Sequence, residues 1–448
     1  MKKFMLICAP LTSRSGYGDH ARDLFHAFDK LEKFNIKVMD VRWGSCPRNA
    51  LTQNNKGDKR ILECILKPGE QINQQPDVYV DIRIPNEFET YGKFNIGITA
   101  GIETDIISPE WIEGCNKMDL IIVPSEHSKR GFVNTIYDAM QNLPDGGQQK
   151  TGEHRINKPV EVLFEGIDVD VFKRKTEISP EIDKKINDIV KEDFAFLFVG
   201  LWGKGDYGED RKNIAKMIKV FYESFANKKK QPALVLKTNG AGFSLLDLVE
   251  IKQKINTLKS AFPNNYKLPQ VYLLHGDLTR EEMNDLYNHP KIKSMVSFTH
   301  GEGFGRPLLE FSMTGKPIIA SGWSGQLDFL NNECSILLPG DMKKVPKSQV
   351  WKDIIVENSN WFNVDEDKAY DAYNYVFLNY FDMKLKSKKL SEINKEKFSL
   401  DNMSKKLDYI TSNFIDKIPV QQELKLPKLK KVGTSTPEKI KLPKLKRV

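Results

Sequence analysis

Short apolar runs alternate with longer amphipathic stretches along most of the chain. Each run has the length of a buried strand, and each stretch between runs is long enough for a helix that crosses over to the next strand. The runs lie at residues 4–8, 37–41, 78–82, 94–99, 120–123 and 160–164, then at 194–200, 233–237, 271–275, 294–298, 317–320 and 335–338. This alternation predicts an α/β protein with parallel sheets.

The series of runs occurs twice, with a polar stretch near residues 173–193 between the two halves. We therefore expect two Rossmann-like domains that face each other across a cleft. The N-terminal domain is expected over residues 1–172, completed by a returning helix at about 395–418, and the C-terminal domain over residues 173–394. Residues 365–414 are helix-like, and their aromatic side chains are expected to pack in a helical core.

Two segments lie outside this repeated pattern. Residues 142–158 are polar and rich in glycine, which predicts a mobile surface loop. Most of the net charge of +8 lies in residues 421–448, which hold nine basic and two acidic side chains. The octapeptide at 425–432 recurs almost unchanged at 441–448, and each copy contains a proline. We expect a disordered basic tail over residues 419–448 that binds an anionic membrane, nucleic acid or a protein partner, or that serves only solubility.

The cysteines and the apolar runs exclude several classes of protein. The five cysteines among the 448 residues are scattered and form no Cys-x-x-Cys pair, which argues against a disulfide scaffold and a structural zinc site. The apolar start at residues 4–11 resembles a signal peptide, but it is short and leads into a polar turn, so a buried first strand is the better interpretation. No apolar stretch approaches the roughly 18 residues that cross a bilayer. We expect a cytoplasmic protein, either soluble or peripheral at a membrane surface.

Residues 298–310 hold the strongest candidate for a binding site. They read Phe-Thr-His-Gly-Glu-Gly-Phe-Gly-Arg-Pro-Leu-Leu-Glu and follow a predicted strand. Their glycines allow the backbone to approach a ligand closely, and the helix start that follows presents free amides to an anion. Glu302 and Glu310 lie on either side of the turn, where each carboxylate can accept hydrogen bonds from a different vicinal diol.

This segment resembles the signature of the retaining GT-B glycosyltransferases of family 4. The resemblance extends to Gly-Lys-Pro-Ile-Ile at 315–319 and Trp-Ser-Gly at 323–325. It implies that Glu302 contacts the donor sugar and that Glu310 contacts the ribose of the nucleotide. It also implies a turn that holds sugar and phosphate through its backbone amides, formed by Gly303, Phe304 and Gly305.

Two further segments match the same family. Gly16 and Gly18 match the glycine loop that closes over the donor diphosphate, and a tight turn without a ligand is the alternative. Arg211 and Lys212 match the basic pair at the start of the first helix of the C-terminal domain. Because transfer builds negative charge on the departing diphosphate, we expect these two cations to clamp it. Weaker donor-binding candidates follow the next strand: Lys237 and Asn239.

The acceptor side matches the family less closely. Many relatives have a histidine near residues 99–105, where this chain has Glu103. The resemblance makes Glu103 a candidate for catalysis or acceptor binding, and a helix-capping role is the alternative. Asp168 and Asp170 imitate a metal-binding Asp-x-Asp pair, but they lie in the segment that matches the interdomain connection, so we expect no metal site there.

The resemblance covers most of residues 1–415 and implies a glycosyltransferase that moves a sugar from a nucleotide-diphosphate sugar to an acceptor hydroxyl with retention of configuration. The nucleotide sugar is a co-substrate, and neither a cofactor nor a metal ion is expected. The expected acceptor is a glycan or glycoconjugate, including a lipid-linked glycan, and hydroxylated bases of modified DNA are the alternative. Two other classes stay open: a nucleotide-sugar epimerase of the same fold and a non-catalytic scaffold that binds sugar nucleotides.

Overall fold

The computed structural model describes residues 2–142, 147–205, 207–240 and 244–418. The basic tail predicted over residues 419–448 lies outside the described residues. Within them, the chain forms two sheets of six parallel strands each, connected by helices, which confirms the predicted α/β class. None of the helices in these ranges combines the length and the apolar character that crossing a membrane requires.

The first half of the chain forms the first sheet. Its elements are β1 (Lys3–Ala9), α1 (Gly16–Lys30), β2 (Phe34–Asp40), α2 (Lys56–Cys64), β3 (Val78–Ile82), β4 (Phe94–Ile98), α3 (Pro109–Lys117), β5 (Leu120–Val123), α4 (Glu126–Asn134), β6 (Tyr137–Asn142), β7 (Gln148–His154) and β8 (Val160–Val162). The parallel strands lie in the order β2-β1-β3-β4-β5-β8, so β3 and β4 are neighbours at the buried centre.

Strands β6 and β7 show that the prediction of a mobile loop over residues 142–158 is wrong in part. Residues 148–154 pair with residues 137–142 as an antiparallel hairpin. The side chains of β7 are nearly all exposed. The hairpin therefore lacks the apolar alternation by which a half-buried strand is recognised in a sequence.

The second half of the chain forms the second sheet. Its elements are α5 (Pro180–Ile189), β9 (Ala195–Val199), α6 (Ile214–Phe225), β10 (Ala233–Lys237), α7 (Leu245–Ser260), β11 (Val271–Leu274), α8 (Arg280–Asn288), β12 (Ile292–Ser297), α9 (Arg306–Ser312), β13 (Ile318–Ser321) and β14 (Ile336–Leu338). The strands lie in the order β11-β10-β9-β12-β13-β14, so β9 and β12 are neighbours at the centre.

After β14 the chain leaves the second sheet and forms an antiparallel pair, β15 (Gly340–Lys344) and β16 (Asn360–Val364). We call residues 340–364 the arm. Three helices follow: α10 (Glu366–Leu378), α11 (Tyr380–Lys397) and α12 (Leu400–Ile415). The last of them returns to the first sheet and packs on α1, where Lys30 Nζ lies 2.5 Å from Asp401 Oδ1.

The loops at the carboxyl ends of the two sheets touch each other. A Cβ atom added at Gly301 would lie 2.1 Å from the carbonyl oxygen of Glu103, and one added at Gly303 would lie 1.8 Å from that of Ala100. Only glycine allows backbone to approach backbone so closely. The cleft between the sheets is therefore closed around the segment that the sequence marks as a binding site.

Candidate active site

Glu302 follows β12 and forms an ion pair with Lys212, which precedes α6. Both side chains are largely buried, with 14% and 12% of their surfaces exposed. Burial would raise the pKa of Glu302, but the charges of Lys212 and Arg211 outweigh this effect and lower it. Burial and the charge of Arg211 lower the pKa of Lys212, against the attraction of Glu302. Two predicted site residues thus form one buried charged pair.

A second ion pair crosses the cleft beside the first. Arg211 Nη1 lies 2.6 Å from Glu103 Oε1, and these residues follow β9 of the second sheet and β4 of the first. Helix α3 is capped by Ser108, whose Oγ accepts a hydrogen bond from the backbone N–H of Trp111 (3.2 Å). The helix-capping alternative for Glu103 is therefore wrong for this helix, and Glu103 lies with the basic pair.

The residues around the basic pair explain how the two cations are held. The buried carboxylate of Asp210 accepts a hydrogen bond from the first backbone N–H of α6 (3.1 Å). Asn213 adopts a left-handed conformation (φ 54°), which turns the chain into the helix. The carbonyl oxygen of Arg211 accepts a hydrogen bond from the backbone N–H of His300 (3.0 Å). The loop after β9 is thereby joined to the loop after β12.

The Trp-Ser-Gly segment at 323–325 holds the backbone of Glu302 on both sides. Ser324 Oγ accepts a hydrogen bond from the Glu302 N–H (2.9 Å), and the Gly325 N–H donates to the Glu302 carbonyl oxygen (3.0 Å). A Cβ atom at Gly325 would lie 2.2 Å from the carbonyl oxygen of Gly303. This part of the family signature therefore fixes the position of the carboxylate.

The turn of residues 303–305 offers backbone groups and not side chains to a ligand. Gly305 has φ +98°, in the region that favours glycine, and directly precedes α9. Phe304 is buried and packs on Phe329, with 5.1 Å between ring centroids. Ser125 Oγ, from the first domain, donates to the Gly303 carbonyl oxygen (2.6 Å). Phe304 can therefore contribute to donor binding only through its backbone.

Glu310 lies one turn into α9, and each of its oxygens has a partner. Arg306 Nε lies 3.1 Å from Oε1, and the Tyr287 hydroxyl donates to Oε2 (3.1 Å). Burial raises the pKa of Glu310, and the charge of Arg306 opposes this effect. Glu310 belongs to a cluster separate from the Glu302 pairs, as expected if the two carboxylates contact different parts of one donor.

The two glycines of the first loop have different surroundings. Ser15 caps α1 and accepts a hydrogen bond from the Gly18 N–H (3.0 Å). A Cβ atom at Gly18 would lie 2.3 Å from the carbonyl oxygen of Ser13, so packing requires glycine there. Gly16 is exposed, and the space around it is open. Gly18 fits the alternative of a tight turn, while Gly16 is free to approach a ligand.

Lys237 and Asn239 hold a neighbouring loop. Lys237 Nζ donates to the carbonyl oxygen of Gly276 (2.6 Å), and Asn239 Oδ1 accepts from the Gly276 N–H (3.0 Å). Burial lowers the pKa of Lys237. Both side chains therefore shape the loop after β11, at the same edge of the sheet as Lys212.

The space beside Glu302 is small in this closed form. A cavity of about 40 Å³, lined among others by Gly200, Lys212, Glu302 and Gly305, has room for a few water molecules and not for a sugar nucleotide. The described residues contain no group of acidic, histidine or cysteine side chains suited to a metal ion. Asp168 Oδ1 instead accepts a hydrogen bond from the backbone N–H of Asp170 (3.0 Å), which stabilises a turn.

Several residues at this site had no signal in the sequence. Asn360 of the arm bonds to Asp105, two residues after Glu103, through its backbone N–H (2.7 Å) and its side chain (2.8 Å). Arg306 of α9 lies 2.7 Å from Asp23 of α1. Both contacts cross the cleft, and neither joins residues that are near each other in the sequence.

No model of a known protein family matches the chain, and no curated protein matches it either. Solved structures do. HepE from Anabaena, in complex with UDP and glucose, is 13% identical, covers 92% of this chain and 100% of its own, and has a TM-score of 0.58. A glycosyltransferase from Rickettsia africae is 13% identical (93% and 100% covered; TM-score 0.60). Sucrose-phosphate synthase from Thermosynechococcus elongatus is 11% identical (93% and 100% covered; TM-score 0.58).

At these identities the likeness concerns the fold. The chain has two parallel-sheet α/β domains like those of GT-B glycosyltransferases, which confirms the architecture predicted from the sequence. Because 93% of this chain is covered, the match extends over both halves of the sequence.

Proposed function

We propose that the chain is a glycosyltransferase that takes a sugar from a nucleotide-diphosphate sugar and transfers it to an acceptor hydroxyl. The observation that carries this proposal is the pairing of Lys212 with Glu302 and of Arg211 with Glu103. These pairs lie where the carboxyl ends of two parallel sheets meet, which is the binding region of such folds.

Each pair combines a cation suited to a diphosphate with a carboxylate suited to a hydroxyl group. When the donor binds, its diphosphate would pair with Arg211 and Lys212, and the hydroxyl groups of its sugar would hydrogen-bond to Glu302. The Glu103 carboxylate would then no longer be paired with Arg211 and could contact the acceptor. Because closure excludes water, the two fixed cations stabilise the charge that develops on the departing diphosphate.

The ligands of similar structures support this choice of donor. HepE structures contain UDP with glucose, and UDP-glucose. A nucleotide sugar of the same general form is therefore the donor that we propose for the cleft of this chain.

We further propose that transfer retains the anomeric configuration and requires no metal ion. In a front-face displacement, the acceptor oxygen bonds to the anomeric carbon on the side from which the diphosphate departs. The leaving phosphate takes the proton of the acceptor hydroxyl, so no separate protein base is needed. Arg211 and Lys212 supply the positive charge that a metal ion provides in other transferases.

The acceptor that we propose is a glycan or glycoconjugate, and the protein would act in the cytoplasm, free or at a membrane surface. The basic sequence at 419–448 would then attract an anionic surface or partner, while binding to duplex DNA would favour the modified-DNA alternative. Comparison of the full chain with a chain ending at residue 418, on anionic vesicles and on duplex DNA across a salt series, separates these cases.

A thermal-shift screen with uridine, guanosine, adenosine and cytidine diphosphate sugars tests the donor. At least one nucleotide sugar should raise the unfolding temperature of the full chain, because a ligand that binds only the folded state stabilises it. Failure of all four nucleotides would contradict the proposal. Conversion of the stabilising sugar nucleotide without any acceptor would instead favour an epimerase.

A further inference from the structure

The guanidinium group of Arg306 lies between two carboxylates that belong to different domains. Its Nη1 is 2.7 Å from Asp23 Oδ2 on α1, and its Nε is 3.1 Å from Glu310 Oε1 on α9. The exposed fractions of the three side chains are 13% for Arg306, 6% for Asp23 and 13% for Glu310. Arg306 thus contacts Asp23 across the cleft and also Glu310, the carboxylate that the family resemblance assigns to the ribose.

The charges of this cluster depend on one another. Burial would raise the pKa of Asp23, but the charge of Arg306 outweighs it and lowers the pKa. Burial of Glu310 has the larger effect and raises its pKa despite the same cation. Asp23 is therefore the stronger competitor for the arginine, because it stays ionised over a wider range of pH.

The geometry shows what Asp23 changes at Glu310. An arginine next to a single carboxylate can bind both of its oxygens through two parallel nitrogens. Here the guanidinium is shared between two carboxylates: Nη1 lies 2.7 Å from Asp23 Oδ2 as an ion pair, and the contact with Glu310 is made by Nε. Each carboxylate oxygen has more than one lone pair, so Glu310 can still accept hydrogen bonds from a diol beside its contacts with Arg306 and Tyr287.

We propose that Arg306 is a positioning residue that couples closure of the cleft to recognition of the donor ribose. When the domains close, the charge of Asp23 holds the guanidinium to one side, so that Glu310 keeps a single contact with it, through Nε, and stays open to the ribose hydroxyls. When the domains separate, the arginine can chelate Glu310 and the ribose site is blocked. This inference rests on the proposed function, since it requires a nucleotide in the cleft.

The test compares a nucleoside diphosphate with its 2′,3′-dideoxy analogue by calorimetry on the full chain, using the nucleotide preferred in the thermal-shift screen. Wild type should bind the ribonucleotide about 10-fold to 100-fold more tightly, because hydrogen bonds to a charged group are lost in the analogue. Asp23→Asn should bind the analogue as wild type does, and its preference for the ribonucleotide should fall to about 3-fold or less.

Asp29→Asn is the matched control on the same helix. Asp29 pairs with Arg60 of the first domain (2.7 Å) and does not cross the cleft, so its variant should keep the wild-type preference. Arg306→Lys is a second variant in case Asp23→Asn does not fold. A single ammonium group cannot chelate both oxygens of Glu310, so the ribose site is not blocked in this variant and the preference for the ribonucleotide should persist. Loss of the preference in Arg306→Lys would contradict the proposed blocking by the arginine.

The outcomes separate the two proposals. If wild type binds no nucleoside diphosphate, the proposed function fails, and this inference fails with it. If wild type prefers the ribonucleotide and Asp23→Asn keeps that preference, the proposed function stands and the coupling through Arg306 is wrong. An equal loss of affinity for both ligands in Asp23→Asn also overturns the coupling, because it indicates only a weaker closed state.

Discussion

At the scale of single residues, the cleft is organised by buried charges that are paired across or beside it. Lys212 and Glu302 neutralise each other in a site with little exposed surface, and Arg211 and Glu103 do so between the domains. Removing one member of a buried pair leaves an uncompensated charge. Substitutions here therefore alter both the chemistry and the electrostatic balance of the closed form.

Glu302→Gln should lower turnover of the nucleotide sugar by about 100-fold or more, because an amide cannot replace the charge that orients the sugar and Lys212. The variant should still fold and bind the nucleoside diphosphate. The rate of nucleotide release measures turnover, and circular dichroism shows whether the variant folds. Glu333→Gln, at an exposed position of the same domain, is the control. Near-wild-type turnover by Glu302→Gln would refute its assignment.

Glu165 gives a prediction about pH and stability. Burial, together with the nearby charge of Asp23, raises its pKa from 4.5 to about 7 despite Arg306. The folded state thus holds this proton more tightly than the unfolded state, so its contribution to stability is complete below pH 4.5 and is lost as the pH rises through 7. Glu165→Gln, which cannot ionise, should gain about 2 kcal/mol relative to wild type between pH 5 and pH 8.

Denaturant unfolding at both pH values measures this difference. Glu161→Gln, at a more exposed position of β8, is the control and should show no such gain. An equal difference between Glu165→Gln and wild type at pH 5 and pH 8 would show that Glu165 does not hold a proton in the folded state.

At the scale of elements, the site is formed by loops whose glycines allow backbone to touch backbone. The loop after β12 is held by residues 323–325 on one side and meets the loop after β4 on the other. His300 joins the same loop to β16, because its backbone carbonyl oxygen accepts from the Phe362 N–H (3.0 Å) and its ring stacks on Trp361. The arm therefore supports the loop that carries Glu302.

Gly303→Ala should prevent the two loops from closing on each other. The added methyl group would lie 1.8 Å from a backbone oxygen, and the backbone cannot yield as a flexible side chain would. We expect turnover to fall by about 100-fold, with the fold of each domain intact, because closure aligns the reacting groups. Gly203→Ala, in open space, is the control. Unchanged turnover in Gly303→Ala would show that these loops need not meet.

The two sheets could be predicted from the sequence because their strands carry apolar residues, either in continuous runs, as in β5 and β9, or in alternation, as in β2. Every predicted run overlaps a strand of one sheet or the other. The hairpin of β6 and β7 and the strand β15 were missed because their side chains are mostly exposed, so no apolar pattern marks them.

The site was predictable as far as it resembles the family motif, and Glu103 was named at a position where this chain departs from that motif. Glu302, Lys212, Arg211 and Glu103 were named from the sequence, and the structure brings them together. The contact of Asp105 with Asn360 joins residues 255 positions apart and has no local pattern. Such contacts depend on how the two domains meet. Secondary-structure propensity and hydrophobic periodicity describe local segments and therefore cannot predict them.

At the scale of the whole molecule, we expect the cleft to open for a nucleotide sugar to enter and then to close around it. The cavity beside Glu302 is far smaller than such a ligand. Contacts across the cleft hold the closed form, among them the Arg306 pair and the hydrogen bonds between Asp105 and Asn360. Domain closure of this kind is a common step in enzymes that exclude water from a transfer reaction.

A disulfide across the cleft tests this requirement. The Asp105 N–H donates to the Asn360 carbonyl oxygen (3.1 Å), so cysteines at both positions should be close enough to form a bond. The oxidised double variant, Asp105→Cys with Asn360→Cys, should not bind the nucleotide, and reduction should restore binding. Asp105→Cys alone should not respond to oxidation. Tight binding by the fully oxidised form would show that the closed cleft admits the donor.

The central claim is that Arg211 and Lys212 exchange their carboxylate partners for the diphosphate of a nucleotide sugar. Calorimetric titration of the full chain with the nucleotide sugar that stabilises it most tests this claim directly. The account predicts saturable binding by wild type and a loss of about 100-fold or more in affinity when Arg211→Met and Lys212→Met are combined. Binding of equal strength by the double variant would contradict it.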